Sequence, residues 1–326
     1  MSKPGDRNLI TDVTGILVGN AQDETAITGT TVILCDAPSV AAVAVAGGGP
    51  GTRETDLLTP DKLVDDINAI VLSGGSAYGL AAADGVVAAL GAKRQGYTIV
   101  DRADVPPTPI VPGAILFDLA NGGNKDWGDA PPYHALGKAA LASATNNKFE
   151  LGRTGAGFGA RAGTYRGGLG SASIVTDDEM TVGAIAAVNC FGSVFMPNTE
   201  SFWAWPYEID GEFGGARPPT LYAADAEDWG ASKANPKRGE NTTICCVATD
   251  IALTPGQAHR VAQMALAGMA RAIRPVFAPV DGDVVFVVST AQKPLPEPEA
   301  FQIARLGELA ANTVARAIAR GVYEAQ

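Results

Sequence analysis

The stretch Gly239-Glu240-Asn241-Thr242-Thr243-Ile244-Cys245-Cys246-Val247-Ala248-Thr249-Asp250 passes from a charged, turn-forming segment straight into a β-branched apolar run. The pattern reads as a loop feeding a buried strand. At the seam sits Asn241-Thr242-Thr243. A hydroxyl at the mouth of a core strand is well placed for chemistry: the strand fixes it and the loop gives access. Were the chain cut between Asn241 and Thr242, Thr242 would carry a free α-amine beside its hydroxyl. Such an amine has a reference pKa of roughly 7.7–8.0 and can act as a base near neutral pH. Nucleophile and base would then share one residue. The plainer reading is that threonine stands here for its β propensity.

Working outward, Thr254-Pro255 supplies an N-cap and an N1 proline, so a helix should run from there to about Ile273. Asp281-Gly282-Asp283 is turn chemistry leading into a second β-branched strand, Val284–Ser289. Its two carboxylates are two positions apart and would share a face if the strand began there. An earlier strand, Thr181–Asn189, forms a hairpin with Ala172–Val175 and closes on Asn189. An asparagine at a strand end usually caps backbone, so on its own it carries little. A final amphipathic helix spans Glu299 to about Val322.

The N-terminal part reads as strands at residues 8–18, ending in a turn at Gly19-Asn20, and at Thr30–Cys35, Val40–Ala46, Ala69–Leu72, Tyr97–Val100 and Ala114–Leu119. Helices are expected over Ala77–Leu90 and His134–Thr145. The run Gly47-Gly48-Gly49-Pro50-Gly51 marks a sharp turn or a place where backbone approaches a ligand. It lacks the lysine and hydroxyl of a P-loop. Ser73-Gly74-Gly75-Ser76 joins a strand to a helix, which suits either an anion or oxyanion site on backbone N–H groups or simply tight packing. Residues 200–240 have no clean period and hold three tryptophans. A segment of that kind is usually functional or mobile. The pattern is of stacked mixed sheets covered by helices on each side, in one four-layer domain over residues 1–326.

Composition narrows the function. The 326 residues are 46% hydrophobic and 18% charged, enough for a large core, and the net charge of −11 argues against nucleic acid or an anionic membrane as partner. The polar start, Met1 to Arg7, lacks the apolar core of a signal peptide, and no apolar run is long enough to span a membrane; a cytoplasmic protein is expected. Cys35, Cys190, Cys245 and Cys246 form no CxxC pair and read as buried free thiols. With only His134 and His259 present, a histidine-based metal site or Ser-His-Asp triad is disfavoured. A hydrolase built on this chain would draw its base from elsewhere.

Several pieces, in order along nearly the whole chain, together resemble the P1/S58 (DmpA-type) self-processing aminopeptidases, which are N-terminal-nucleophile-like amidohydrolases. They are Ile10-Thr11-Asp12-Val13, Leu72 to Leu80, Gly152-Arg153-Thr154-Gly155-Ala156-Gly157, Asn241-Thr242-Thr243 with Ala248-Thr249-Asp250, and Asp281-Gly282-Asp283 with Val287 to Thr290. Asn-Thr-Thr and Asp-Gly-Asp are most similar to the 6-aminohexanoate-oligomer (nylon-oligomer) hydrolase branch.

The resemblance implies a mixed α/β, four-layer αββα sandwich of the DmpA/ornithine-acetyltransferase type. It implies self-cleavage at Asn241–Thr242 into chains 1–241 and 242–326, assembly into homotetramers, and no metal or organic cofactor. By the same resemblance Thr242 is the nucleophile, Asp281 and Asp283 orient and polarise it, and Asn189 contacts the nucleophile or the developing oxyanion. Arg166 and Tyr78 are expected to bind substrate, a small peptide or oligoamide. Thr164 stands where the nylon-oligomer branch has a lysine, and Phe117 where it has a tyrosine. Arg166 falls where the aminopeptidase branch has a lysine, and Arg does not release its proton as Lys can. These departures bear on substrate choice. An acyltransferase of the ornithine-acetyltransferase type, using the same threonine, is the alternative; the residues around Thr242 do not resemble that family's Ala-Thr-Met-Leu cut site.

Overall fold

The computed structural model describes residues 2–223, 225, 227–233 and 242–326. Asn241, the expected cleavage partner of Thr242, lies outside the described residues. In chain order the elements are β1 (Ile16–Asp23), β2 (Thr28–Val45), β3 (Thr52–Arg53), β4 (Asp66–Ser73), α1 (Ala81–Ala92), β5 (Gly113–Ile115) and α2 (Tyr133–Ala142). There follow β6 (Arg161–Ala162), β7 (Tyr165–Arg166), β8 (Gly168–Val175), β9 (Thr181–Asn189), β10 (Thr242–Ile251), α3 (Pro255–Ala272), β11 (Val284–Lys293) and α4 (Glu299–Tyr323).

The main ladder runs β3-β5-β4-β2-β11-β10-β9-β8, with β1 also on β2. Its organising element is β2. The sequence suggests two strands, Thr30–Cys35 and Val40–Ala46, but they are one strand with a bend at the exposed Asp36-Ala37-Pro38. The first half pairs with β1 and β4; the second half pairs with β11. Ile33, Cys35, Ala41 and Val43 all face one central core. On the other face, Val32 packs with residues of α1 and α2, whereas Ala42 and Ala44 pack with residues of α3 and α4. The strand therefore crosses from one β layer to the other, and one hydrogen-bonded ladder makes both. Three cores between four layers give the expected αββα sandwich.

Period-2 alternation holds on both faces of β10 and β11. Cys245, Val247, Val285 and Val287 enter the core shared with α3 and α4, while Ile244, Cys246, Phe286 and Val288 enter the central core. A strand buried on both sides needs an unbroken apolar run, which is what made these two readable. Thr254 accepts the Gln257 N–H, and the Gln257 side chain returns to the Thr254 N–H, closing a capping box at the start of α3.

Three local expectations change. Residues 10–12 form a 3-10 turn, and the strand expected at 8–18 is β1, which continues through Gly19-Asn20. Gly19 marks no turn: a Cβ there would lie 1.8 Å from the Ala140 carbonyl oxygen of α2. Tyr97–Val100 forms only a bridge from Tyr97 to Thr108.

Candidate active site

Strand direction brings the chemistry together. β9 runs antiparallel to β10 and ends where β10 begins, so Asn189 faces Thr242 directly. β11 runs parallel to β10 and starts at the same end, with Val284 opposite Ile244. The Asp281-Gly282-Asp283 turn just before β11 thus lies beside Thr242.

Thr242 is 3% exposed, and its Oγ1 accepts the Gly282 N–H at 3.1 Å. Asp283 is fully engaged with backbone: Oδ1 accepts the Thr243 N–H at 2.8 Å and Oδ2 accepts the Phe277 N–H at 3.0 Å. Asp281 accepts the Phe191 N–H on Oδ1 at 3.2 Å, while its Oδ2 is buried with no hydrogen-bond partner among the described residues. Both carboxyls are pushed up by burial, Asp281 to about 6 and Asp283 to about 7, and the charge of Asp281 adds to the rise at Asp283. Two close carboxylates resist ionising together, so one proton is retained near neutral pH, the condition for acid–base work.

Asn189 is held as a clamp. Its Oδ1 accepts the Arg161 N–H at 2.8 Å and the Asn121 amide at 3.4 Å, and its Nδ2 donates to the Phe117 carbonyl at 3.0 Å. One amide hydrogen is spent on Phe117, and an amide nitrogen carries two.

The Gly47–Gly49 run packs against the Asp281–Asp283 turn of this site. Ala46 and Gly47 donate to the Asp283 carbonyl at 2.9 and 3.2 Å, and Gly49 to the Asp281 carbonyl at 2.7 Å. A Cβ on Gly47 would fall 2.3 Å from the Asp281 carbonyl oxygen and 2.4 Å from the Asp283 nitrogen. Both are backbone atoms, so the turn itself would have to move. Gly47→Ala is expected to lower kcat by about 10²-fold, the scale of an ångström misplacement, and to lower the thermal melt as well, since forcing a methyl into packed backbone costs about 1–3 kcal/mol. Wild-type kcat in this variant would refute the assigned role of the run.

The Ser73–Ser76 turn is consumed internally. Gly74 donates to the Gly29 carbonyl, Ser76 to the Leu116 carbonyl, and Gly75 to the Asp118 carboxylate at 2.8 Å. Asp118 also accepts the Thr28 hydroxyl at 2.6 Å, and burial raises its pKa. The carboxylate that this turn binds is the protein's own, so the oxyanion reading of the segment is set aside. Tyr78 is half-exposed and packs edge-on to Trp127, with ring centroids 5.7 Å apart. Arg166 lies exposed in β7, opposite Arg161 of β6. Neither side chain hydrogen-bonds to Thr242, Asp281, Asp283 or Asn189 among the described residues.

A lysine that the sequence did not mark stands at the site. Lys233 donates through Nζ to the Asn189 carbonyl at 3.2 Å, and through its backbone N–H to the Phe191 carbonyl at 2.8 Å. Burial lowers its pKa to about 8, against the pull of Cys190 and Asp281. It belongs to the irregular segment, where no periodicity distinguishes one position from the next. The same segment, with Tyr165 and Phe195, lines a cavity of about 650 Å³ that includes Glu200 and Asp228 but not Thr242. Among the described residues no group of three or more His, Cys, Asp or Glu could hold a metal ion, and no helix is long and apolar enough to cross a membrane.

A family model, Peptidase family S58, matches residues 8–326. An uncharacterized aminopeptidase of Mycobacterium tuberculosis (strain ATCC 25618 / H37Rv) is 40% identical over 336 residues, covering 98% of this chain and 94% of that protein. A 6-aminohexanoate-oligomer endohydrolase of Kocuria sp. (strain KY2) is 31% identical over 90% of this chain and 78% of its own length. Among solved structures, a Burkholderia sp. beta-aminopeptidase superposes with a TM-score of 0.71 at 23% identity, covering 98% of this chain and 88% of that one. The L-aminopeptidase D-Ala-esterase/amidase of Ochrobactrum anthropi, described as a variant among the Ntn hydrolase fold, gives 0.71 at 19%, covering 100% and 88%. These two likenesses are of fold.

Proposed function

We propose that this chain, which belongs to peptidase family S58 and is an amide-bond hydrolase, works as a self-processing N-terminal-threonine enzyme. The observation that carries the reading is the Thr242 hydroxyl at the mouth of β10, held by the Gly282 N–H between two carboxyls of raised pKa.

In the first reaction the Thr242 hydroxyl attacks the Asn241 carbonyl carbon. The C–N bond breaks, the nitrogen takes up a proton, and an ester remains on Oγ1. Water hydrolyses that ester, leaving an Asn241 carboxylate and a free Thr242 α-amine. In the second reaction the amine receives the hydroxyl proton as Oγ1 attacks a substrate amide, and passes it to the leaving amine. Water then releases the acyl group and restores the threonine. Asp283 supports both steps by fixing the Thr243 N–H, and with it the direction of the Thr242 backbone nitrogen. The second hydrogen of the Asn189 amide is the donor for the developing oxyanion. Substrates are short peptides or ω-amino-acid oligoamides, with the cleaved amide entering at the β9–β10 end of the sandwich.

The test is N-terminal sequencing of active protein, joined to a panel of α-amino, β-amino and 6-amino acid amides with and without an added amine. Thr-Thr-Ile-Cys should be read beside the original N-terminus, and acyl product should form in water alone. Acyl product seen only when an amine acceptor is present would make the enzyme a transferase.

A further inference from the structure

We propose that Lys233 is a positioning residue of this site, its ammonium serving as the counter-charge of the Asp281 carboxylate. The inference rests on the hydrolytic reading of Thr242 but draws on separate contacts.

The backbone before the threonine is fastened to the site at two points. Ala231 accepts the Thr164 N–H at 2.8 Å, and Lys233 donates to the Phe191 carbonyl at 2.8 Å. Phe191 is shared: its N–H goes to Asp281 and its carbonyl takes the Lys233 N–H. The Lys233 side chain then turns inward and places Nζ on the carbonyl of Asn189, the residue opposite Thr242. An ammonium is thus built into the wall that Asp281 faces.

Asp281 needs such a charge. It is fully buried, has one oxygen without a hydrogen-bond partner among the described residues, and sits beside a second carboxyl. A buried carboxylate that is neither paired nor fully hydrogen-bonded takes up a proton instead. Among the described residues, the titratable groups facing Lys233 are Asp281 before β11, Arg161 of β6 and the Cys190 thiol just after β9. Burial pushes Cys190 up to about 12, so the thiol stays neutral. Arg161 repels the ammonium and Asp281 attracts it. From the other side, Asp281 faces Lys233, the Phe191 N–H and the neighbouring carboxyl of Asp283. Burial raises the pKa of Asp281, the Phe191 N–H opposes that most, and Lys233 is the cation that adds to the opposition, so removing its charge should leave that carboxyl less ionised at the working pH.

Lys233→Met is expected to move the acid limb of the kcat–pH profile upward by about one pH unit, the low end of the scale for losing a nearby opposite charge. Lys233→Arg should keep the limb near its wild-type position. A purely structural lysine would change kcat by one factor at every pH. Unfolding measured from pH 4 to 7 reads the same coupling without substrate. In this window, below the Lys233 pKa of about 8, the lysine is protonated in both states, and Asp281 ionises at greater cost in the methionine variant, which should lose more stability as pH rises. An unshifted acid limb and a parallel stability profile in Lys233→Met would overturn the proposal. Intact mass of each sample separates the two readings: wild type that hydrolyses amides while uncut defeats the self-processing mechanism, and the limb shift still decides Lys233.

Discussion

Thr242→Ala is expected to leave one uncut 326-residue chain with amide hydrolysis reduced by roughly 10⁴- to 10⁶-fold, the range seen when a nucleophile is removed from a site whose other parts remain. Wild type should give two masses, for residues 1–241 and 242–326. The variant should fold as wild type does, because the position is first in its strand and the alanine Cβ occupies space that threonine already fills. Among the described residues the hydroxyl accepts the Gly282 N–H, which loses one acceptor in the variant at a cost of about 1 kcal/mol. Thr242→Ser keeps hydroxyl and α-amine together and should retain both processing and turnover. The ordering matters: if alanine blocked hydrolysis while the chain still cut itself, the nucleophile for cleavage would lie elsewhere. Cleaved, active Thr242→Ala protein would sink the mechanism altogether.

How much of this was written in the sequence depends on range. β10 and β11 are readable because burial on both faces demands a continuous β-branched run, and Thr254-Pro255 is readable because capping is a contact within four residues. The pairing of Thr242 with Asp281 and Asp283 is half readable. Two strands that open with chemistry can be recognised, but their adjacency comes from β10 and β11 running parallel across the α3 connection. What escaped is of a different kind. The bend in β2 passes for a loop, since Asp36-Ala37-Pro38 is exposed and proline interrupts a strand pattern. The glycines at 19 and 47 pass for turns when each is there to admit another backbone, from α2 and from the Asp281 turn. Ser73–Ser76 passes for a ligand cradle until Asp118 is seen accepting from Gly75. Lys233 has no local signature because its partners, Asn189 and Phe191, are more than forty residues away in the chain.

Asp283→Asn changes one atom and is expected to cost about 10²- to 10³-fold in kcat, together with a characteristic loss of pH dependence. Both carboxyl oxygens of Asp283 accept backbone N–H groups, from Thr243 and from Phe277. An asparagine has one acceptor oxygen, so its NH₂ must face one of those two donors. Turned toward Phe277 it strains the loop before the Asp281 turn; turned toward Thr243 it pushes on the backbone that carries the nucleophile. Either way a buried donor goes unsatisfied, a penalty of about 1–3 kcal/mol in stability at the pH where both forms are compared as neutral side chains. The pH term runs the other way. Asp283 has a folded pKa raised from 3.8 to about 7, so the folded state holds its proton more tightly than the unfolded chain does. That contribution is fully present below the unfolded value and is lost as pH rises through the folded one. Wild type should therefore lose stability between about pH 4 and pH 7 on account of this group, and Asp283→Asn should not. The variant's deficit, measured by denaturant unfolding, should be larger at pH 4.5 than at pH 8. A deficit that grew with pH would mean that Asp283 is ionised in the folded protein well below neutrality, and that the proton shared by the carboxyl pair resides on Asp281.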